Sequence, residues 1–81
     1  MAGHFHPWRL ARLSRGWDPV QLIGRMKILA ERDGVVLPRT YLLVRLVFLW
    51  ENHRQPVSGY YAGLLIRIYG QQSSSDVQAV R

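Results

Sequence analysis

The sequence predicts an all-α protein, a compact bundle of four to five short helices in a single domain. Three observations predict this fold. Apolar residues recur three and four positions apart in several stretches, and Pro, Asp, Ser or Gly stand at their ends as capping signals. No stretch alternates apolar and polar residues as a half-buried strand does. With 81 residues and no cysteine, the chain has room for one core and no disulfide to stabilise it.

The first predicted helix begins at Pro7 and ends just before Gly16. Proline suits the first helical position, where its missing N–H is no loss, and Leu10 and Leu13 follow one turn apart. These leucines are expected to face the core. Gly16 is a natural left-handed stop, and Trp17 is placed to fold back onto the last turn and join the core.

The second predicted helix has the clearest start signal in the chain. Asp18 can cap it, Pro19 takes the first helical position, and Gln21 stands three residues after the cap, as in a capping box. Gly34 is expected to end the helix, and Gly24 is predicted to let a neighbouring helix approach closely. The predicted core stripe consists of Leu22, Ile23, Met26, Leu29 and Ala30.

The third predicted helix, at about residues 40–52, contains the most apolar part of the chain. It follows an extended connector, because Pro38 disfavours helical geometry in the residue before it, and Thr40 is a candidate cap. At about 100° per residue its side chains divide into two faces. The predicted buried stripe consists of Leu43, Leu46, Val47 and Trp50. The predicted solvent-facing stripe consists of Tyr41, Arg45, Phe48 and Asn52.

The last predicted helix follows a polar turn that is itself long enough for a short fifth helical turn. Ser58 is its candidate cap and Gly70 its stop. The predicted domain therefore spans residues 7–70, with a flexible N-terminus at 1–6 and a disordered polar tail at 71–81. The predicted core stripe of this helix consists of Tyr61, Leu64, Leu65, Ile68 and Tyr69.

The charge balance indicates an anionic partner. Eleven Lys and Arg residues against five Asp and Glu give a net charge of +6, which favours nucleic acid, acidic protein or anionic lipid. The apolar run at residues 42–50 is interrupted by Arg45 and closed by Glu51, so it falls short of the ~20 residues that span a bilayer. The N-terminus lacks the unbroken apolar region of a signal peptide. The expected location is the cytoplasm.

The sequence offers no catalytic or metal-binding constellation, so neither an enzyme nor a cofactor is expected. There is no cysteine nucleophile, and Ser14 lacks an adjacent His–acid pair. The histidines invite a metal hypothesis, since His4 and His6 form a His-x-His pair and His53 is a third imidazole. With no cysteine and no nearby acid to complete the ligand set, we expect no metal site.

The order of motifs resembles a known DNA-binding family. A first helix ending in "RGW" is followed by a capped second helix, the "LP" connector, and a third helix that ends in "WEN". A basic turn with proline then leads to "YYAGLLIRIYG". Over roughly residues 8–70 this order resembles the lambda-repressor-type (XRE) helix-turn-helix domain, in the form common in actinobacterial regulators. The resemblance implies a transcription regulator that places its third helix in the major groove of double-stranded DNA, as a homodimer or with a partner protein.

The resemblance also assigns roles to individual residues. It implies that Val47 and Trp50 are core and that Glu51 braces the basic turn that follows. The positions it directs towards the major groove are Arg39, Thr40, Tyr41, Arg45, Phe48 and Asn52, while His53 and Arg54 approach the DNA backbone. The chain departs from the family at Pro19, where a phosphate-contacting Gln is usual, and at His53, where Gly is usual. Apolar residues replace the usual polar ones at Leu42, Val44, Phe48 and Leu49.

Other interpretations of the same residues remain open. Arg45 suits a guanine edge but equally a solvated helix surface, and Arg39, Arg54 and Arg67 suit phosphate contact or plain surface charge. The exposed aromatics favour a protein interface. The alternative function is therefore a protein–protein interaction module that uses the apolar outer face of the third helix. A third hypothesis, ranked below these, is attachment to a membrane surface through the basic and aromatic first stretch.

Overall fold

The computed structural model describes the backbone of residues 6–80 and the side chains of residues 6–70. Four helices follow one another in this part of the chain, and no strand is present in it. The predicted all-α fold is therefore confirmed, with four helices and a non-helical turn between the last two. The helices are α1 (Pro7–Ser14), α2 (Pro19–Arg32), α3 (Thr40–Glu51) and α4 (Gly59–Val80).

Local capping signals place the starts of α1 and α2. Pro7 is the first residue of α1, as predicted, and the capping residue before it is His6. The capping box of α2 is complete, since the Gln21 N–H donates to Asp18 Oδ1 at 2.8 Å and the Asp18 N–H donates to Gln21 Oε1 at 2.8 Å. Gly16 has a φ of 71°, the left-handed conformation that its role as a stop requires. The predicted flexible N-terminus lies outside the described residues except for His6.

The core forms where α2 meets α3 and α4, while α1 packs against α3. All five predicted core residues of α2 are buried, and so are four of the five predicted in α4. Full burial of one such side chain stabilises the fold by roughly 1.5–3 kcal/mol. Leu46 and Tyr61 are half-buried at the edge of the core. The buried core residues on α3 and α4 are Leu43, Val47, Trp50, Leu64, Leu65, Ile68 and Tyr69.

The orientation of α1 differs from the prediction. Leu10 and Leu13 are 48% and 43% exposed, whereas Trp8 and Ala11 pack against the core and Arg12 is buried. A helix of eight residues has only two turns, so one or two strong contacts decide which side faces inward. Here those contacts are the ion pair of Arg12 with Glu51 and the stacking of the Trp8 ring on the Tyr69 ring. Together they outweigh burial of the two leucines.

Helix α4 continues past the predicted stop at Gly70. Within the described residues, the glycines with a positive φ angle are Gly16, Gly34 and Gly59. Gly70 is not among them, so it does not adopt the left-handed conformation that ends a helix. Within a helix, glycine costs about 1 kcal/mol relative to alanine without breaking it. The backbone of α4 therefore extends through the segment predicted to be a tail. Disorder of residues 71–81 in solution stays a prediction, since their side chains lie outside the described residues.

Gly24 does not serve a close helix contact, contrary to the prediction. It is exposed on α2, and a Cβ built at this position meets no atom within 4 Å. Its backbone is helical, so neither packing nor conformation requires glycine there. Helical spacing places Gly24 at one edge of the predicted core stripe of α2. It does not show which of the two edges packs against another helix.

The substitution Gly24→Ala is expected to stabilise the protein by about 0.5–1 kcal/mol, because alanine restricts the unfolded chain and fits the helix without a clash. Urea denaturation followed by circular dichroism measures the change. Gly16→Ala is the matched control and should destabilise by about 1–2 kcal/mol, because the φ of 71° at Gly16 is unfavourable for a residue with a Cβ. A loss of stability in Gly24→Ala would contradict the exposed setting of Gly24.

Candidate nucleic-acid interface

The outer side of α3 is exposed, as the sequence predicts. We define the outer α3 face as Tyr41, Leu42, Arg45 and Phe48, with Asn52 half-buried at its C-terminal end. Tyr41 is 67% exposed and Phe48 is 57% exposed, and Arg45 also points to solvent. The predicted exposure of Arg45 is therefore confirmed, while its role in binding stays a prediction.

The inner side of α3 fixes which residues face outward. Leu43, Val47 and Trp50 are almost completely buried, and the Trp50 ring contacts the Tyr61 ring of α4 at a centroid distance of 5.1 Å. Residues three and four apart share one face of a helix. Burying this set therefore turns Arg45, which lies two residues from both Leu43 and Val47, towards solvent.

Glu51 adds a charged contact to the inner side of α3. Its carboxylate accepts two hydrogen bonds from Arg12, Nε to Oε2 at 2.9 Å and Nη2 to Oε1 at 2.8 Å. The remaining terminal nitrogen of Arg12, Nη1, donates to the Trp17 carbonyl at 2.8 Å. The hydrogen bonds to Glu51 are the main cause that raises the pKa of Arg12 above its ordinary value. This paired geometry is the strong form of an arginine–carboxylate contact.

The partner of Glu51 corrects the prediction that it braces the basic turn after α3. The ion pair instead joins α1 to α3, and both side chains are buried. The signal that could have indicated a buried acid is the position of Glu51, four residues after the core residue Val47 and next to Trp50. Nothing in the spacing of α1 identifies Arg12 among the many arginines as the partner.

The N-terminal end of α3 also differs from the prediction. Arg39 is the capping residue, without a side-chain cap, and Thr40 is the first helical residue rather than the cap. The Thr40 hydroxyl accepts a hydrogen bond from Lys27 Nζ at 2.6 Å. An exposed lysine of α2 is thus held beside the start of α3. Sequence reasoning missed Lys27, which stands out only as the single lysine and a residue on the rim of α2.

At the C-terminal end of α3, the predicted backbone-contacting residues lie in a turn. Asn52 ends the helix, and its amide nitrogen donates one hydrogen bond to the Phe48 carbonyl at 2.8 Å. His53 adopts a φ of 58°, in the left-handed region, and Arg54 is exposed. The Arg54 N–H donates to the Leu49 carbonyl at 3.0 Å, which ties the turn to the helix.

Arg67 does not belong to the candidate interface. It pairs with Asp33 at 2.7 Å, and the Tyr60 hydroxyl donates to the same carboxylate. The Arg67 hydrogen bond first, and the Tyr60 hydrogen bond second, hold the pKa of Asp33 below its usual value. This cluster links the end of α2 to α4, so Arg67 has a structural role.

Exposed arginines lie along the whole length of α3. Arg39, Arg45 and Arg54 are exposed and form no ion pair within residues 6–70. They lie at the start, in the middle and just beyond the end of the helix. Arg15 and Arg25, by contrast, lie over aromatic rings, with the Arg25 guanidinium 4.2 Å from the Trp17 ring centroid.

Other kinds of site have little support within the described residues. There, no three His, Cys, Asp or Glu side chains come together as a metal would require, and His4 lies outside this part of the chain. His6 and His53 do meet, with ring centroids 4.6 Å apart. Among the helices of the part that the structure describes, none has the length and apolar character needed to cross a bilayer.

These features define a small all-helical protein whose third helix presents an aromatic and cationic face to solvent. The chain matches none of the protein-family models, curated proteins or solved structures with which it was compared. Its likeness to lambda-repressor-type domains therefore rests on the sequence motifs, and its function is inferred from the geometry of α3.

Proposed function

We propose that this protein is a small sequence-specific DNA-binding transcription regulator of the lambda-repressor-like (XRE) helix-turn-helix type, acting in a bacterial cytoplasm on nucleoid DNA. One observation carries the proposal: α3 buries one side completely and exposes the other, with Arg45 at its centre and free arginines at both ends. The net charge of +6 supports attraction to a polyanion.

The dimensions of α3 suit the major groove of DNA. Its 12 residues give a helix of about 18 Å, and the B-DNA major groove, about 12 Å wide, admits a helix. In such a docking Arg45 would donate two hydrogen bonds to O6 and N7 of a guanine. Arg39 and Arg54, separated by the length of the helix, would contact phosphates on either side of the groove, and Lys27 would add a third contact.

The aromatic residues of the same face favour a second candidate function. Tyr41, Leu42 and Phe48 all expose apolar surface on this face, and exposed apolar patches on small domains often mark protein interfaces. The second candidate is therefore a protein–protein interaction module in which Phe48 is the anchor. DNA binding ranks first because it also accounts for the unpaired arginines.

DNA binding through these phosphate contacts is expected to weaken strongly with salt. Three contacts, from Lys27, Arg39 and Arg54, predict a slope of log affinity against log salt of about −2.7, or an affinity loss of about 40-fold between 50 and 200 mM salt. Fluorescence anisotropy with a mixed-sequence labelled duplex measures this slope. Arg39→Gln should make the slope shallower by about one unit.

The matched control for this titration is Arg32→Gln. Arg32 is also exposed, but helical spacing places it on the side of α2 turned away from Lys27. Its replacement should leave the slope unchanged. Absence of binding at 50 mM salt, or equal slopes in both variants and the native protein, would contradict the proposed docking.

A further inference from the structure

The exposed side of α2 carries an apolar stripe with a glycine at its centre. Val20 is 58% exposed and Ile28 is 54% exposed, and Gly24 lies midway between them in the sequence. Residues four positions apart share one face of a helix, so these three form a continuous stripe, the α2 stripe. A Cβ built at Gly24 meets no atom within 4 Å, so no other helix of the described chain covers this place. Neither the fold nor the proposed docking of α3 on DNA uses the stripe.

The charges around the α2 stripe are balanced. Of the acids in residues 6–70, Asp18 and Glu31 are the two that form no ion pair, and both are exposed, at opposite ends of α2. Two exposed arginines of the same helix, Arg25 and Arg32, offset them, while Lys27 is directed towards α3 by its hydrogen bond. This side of a chain with a net charge of +6 is therefore close to neutral. Unpaired acids repel a polyanion, so the α2 stripe suits a protein surface rather than DNA.

The α2 stripe is complementary to itself when two copies of α2 run antiparallel and cross at Gly24. A two-fold axis at the crossing point brings each position onto the position equally far on the other side of Gly24. Val20 and Ile28, each four residues from Gly24, would therefore pack against each other. Glycine at the crossing point lets the two backbones approach closely, because the side chains at the contact set the distance between packed helices.

The same antiparallel arrangement pairs the charges. Asp18 at the start of one α2 would lie near Arg32 at the end of the other. Glu31 stands seven residues after the crossing point, and the Arg25 guanidinium lies 4.2 Å from the ring centroid of Trp17, seven residues before it. Glu31 of one copy would thus approach Arg25 of the other. A parallel arrangement would set each of these charges against its own copy, which disfavours it.

We infer that two copies of this chain associate through the α2 stripe, as an antiparallel pair of helices that cross at Gly24. One side of a 14-residue helix offers a small contact, below the roughly 1,200 Å² that stable complexes bury. The dimer is therefore expected to be weak, with a Kd on the order of 100 µM. This association gives Gly24 a role that the fold of a single chain does not.

Sedimentation velocity of the whole chain without DNA, from about 10 µM to about 1 mM, tests for the dimer. We expect the weight-average mass to rise towards twice that of one chain. Ile28→Ser should weaken association about tenfold or more, because each dimer buries this side chain twice. Ile66→Ser is the matched control and should leave association unchanged, since it removes a similarly exposed isoleucine (61%) from α4.

Two results of this experiment would overturn the inference. One is a monomer at every concentration, and the other is an effect of Ile66→Ser as large as that of Ile28→Ser. Circular dichroism of both variants checks that they are folded. Because no DNA is present, failure here is separate from failure of the proposed function.

Single cysteines test the geometry, because the chain has no cysteine of its own. Gly24→Cys should form a covalent dimer under mild oxidation about tenfold faster than Gly63→Cys, because association holds its thiols at the crossing point. Gly63 is the matched position, a glycine of α4 that is also exposed and uncovered. Mixing Val20→Cys with Ile28→Cys should give the mixed dimer in preference to either homodimer. Equal rates at positions 24 and 63, or a preference for the homodimers, would contradict the antiparallel crossing.

Discussion

Replacing Arg12 with alanine is expected to destabilise the fold by about 3–5 kcal/mol, because it leaves the Glu51 carboxylate buried without its partner. Both oxygens of Glu51 and the Trp17 carbonyl would lose charged donors. Domains of this size have a free energy of unfolding of roughly 4–12 kcal/mol, at 0.05–0.15 kcal/mol per residue. The loss should therefore remove at least about a quarter of that free energy, and would unfold a protein at the low end of the range.

Urea denaturation monitored by circular dichroism at pH 7 measures this loss. Arg54→Ala is the matched control, because Arg54 is exposed and unpaired, and its replacement should change stability by no more than about 0.5 kcal/mol. The double variant Arg12→Met, Glu51→Leu should recover most of the stability, since apolar residues of similar volume often replace a buried ion pair without loss. A loss of under 1 kcal/mol in Arg12→Ala would mean that the pair is not buried in solution.

Replacing Arg45 with alanine is expected to weaken binding to a preferred DNA site by about 1–3 kcal/mol, or roughly 5- to 150-fold, while leaving the fold intact. The reason is that Arg45 is the central cation of the exposed side of α3 and makes no contact that supports the core. The preferred site is first selected from random duplexes. Fluorescence anisotropy at fixed salt then measures the loss of affinity for that site. Arg45→Lys should recover little of it, because lysine lacks the planar fork.

Phe48→Ala is the matched variant that separates the two candidate functions. Phe48 is 57% exposed on the same face, one turn from Arg45, and contributes to an apolar rather than an ionic contact. In a DNA-binding protein its loss should matter less than the loss of Arg45. The opposite ranking, with Phe48→Ala abolishing a protein complex and Arg45→Ala having little effect, would favour the interaction module.

Signals that act within one turn of helix could be predicted from the sequence. The capping box of Asp18 and Gln21 and the core stripes of α2 and α4 depend on residues at most a few positions apart. The same periodicity predicts the exposure of Arg45, because a helix that buries Leu43 and Val47 turns Arg45 towards solvent. For this reason most of the fold and the outer side of α3 were predicted correctly.

Features that depend on partners far along the chain could not be predicted. The contacts of Arg12 with Glu51 and of Lys27 with Thr40 join different helices, and helical spacing contains no information about them. The outward position of Leu10 is a consequence of the first contact. Gly70 shows a related limit, because glycine permits a helix to end but does not force it to.

The rotation of α3 about its own axis is determined by the four residues that it buries, Leu43, Val47, Trp50 and Glu51. None of them belongs to the outer α3 face. The proposed recognition would thereby use positions of α3 that are separate from those that bury the core. Positions 41, 42, 45 and 48 are therefore open to diversification, in evolution or in a designed library, without re-engineering the scaffold. Grafting the exposed residues of one such helix onto another should transfer its binding preference along with them.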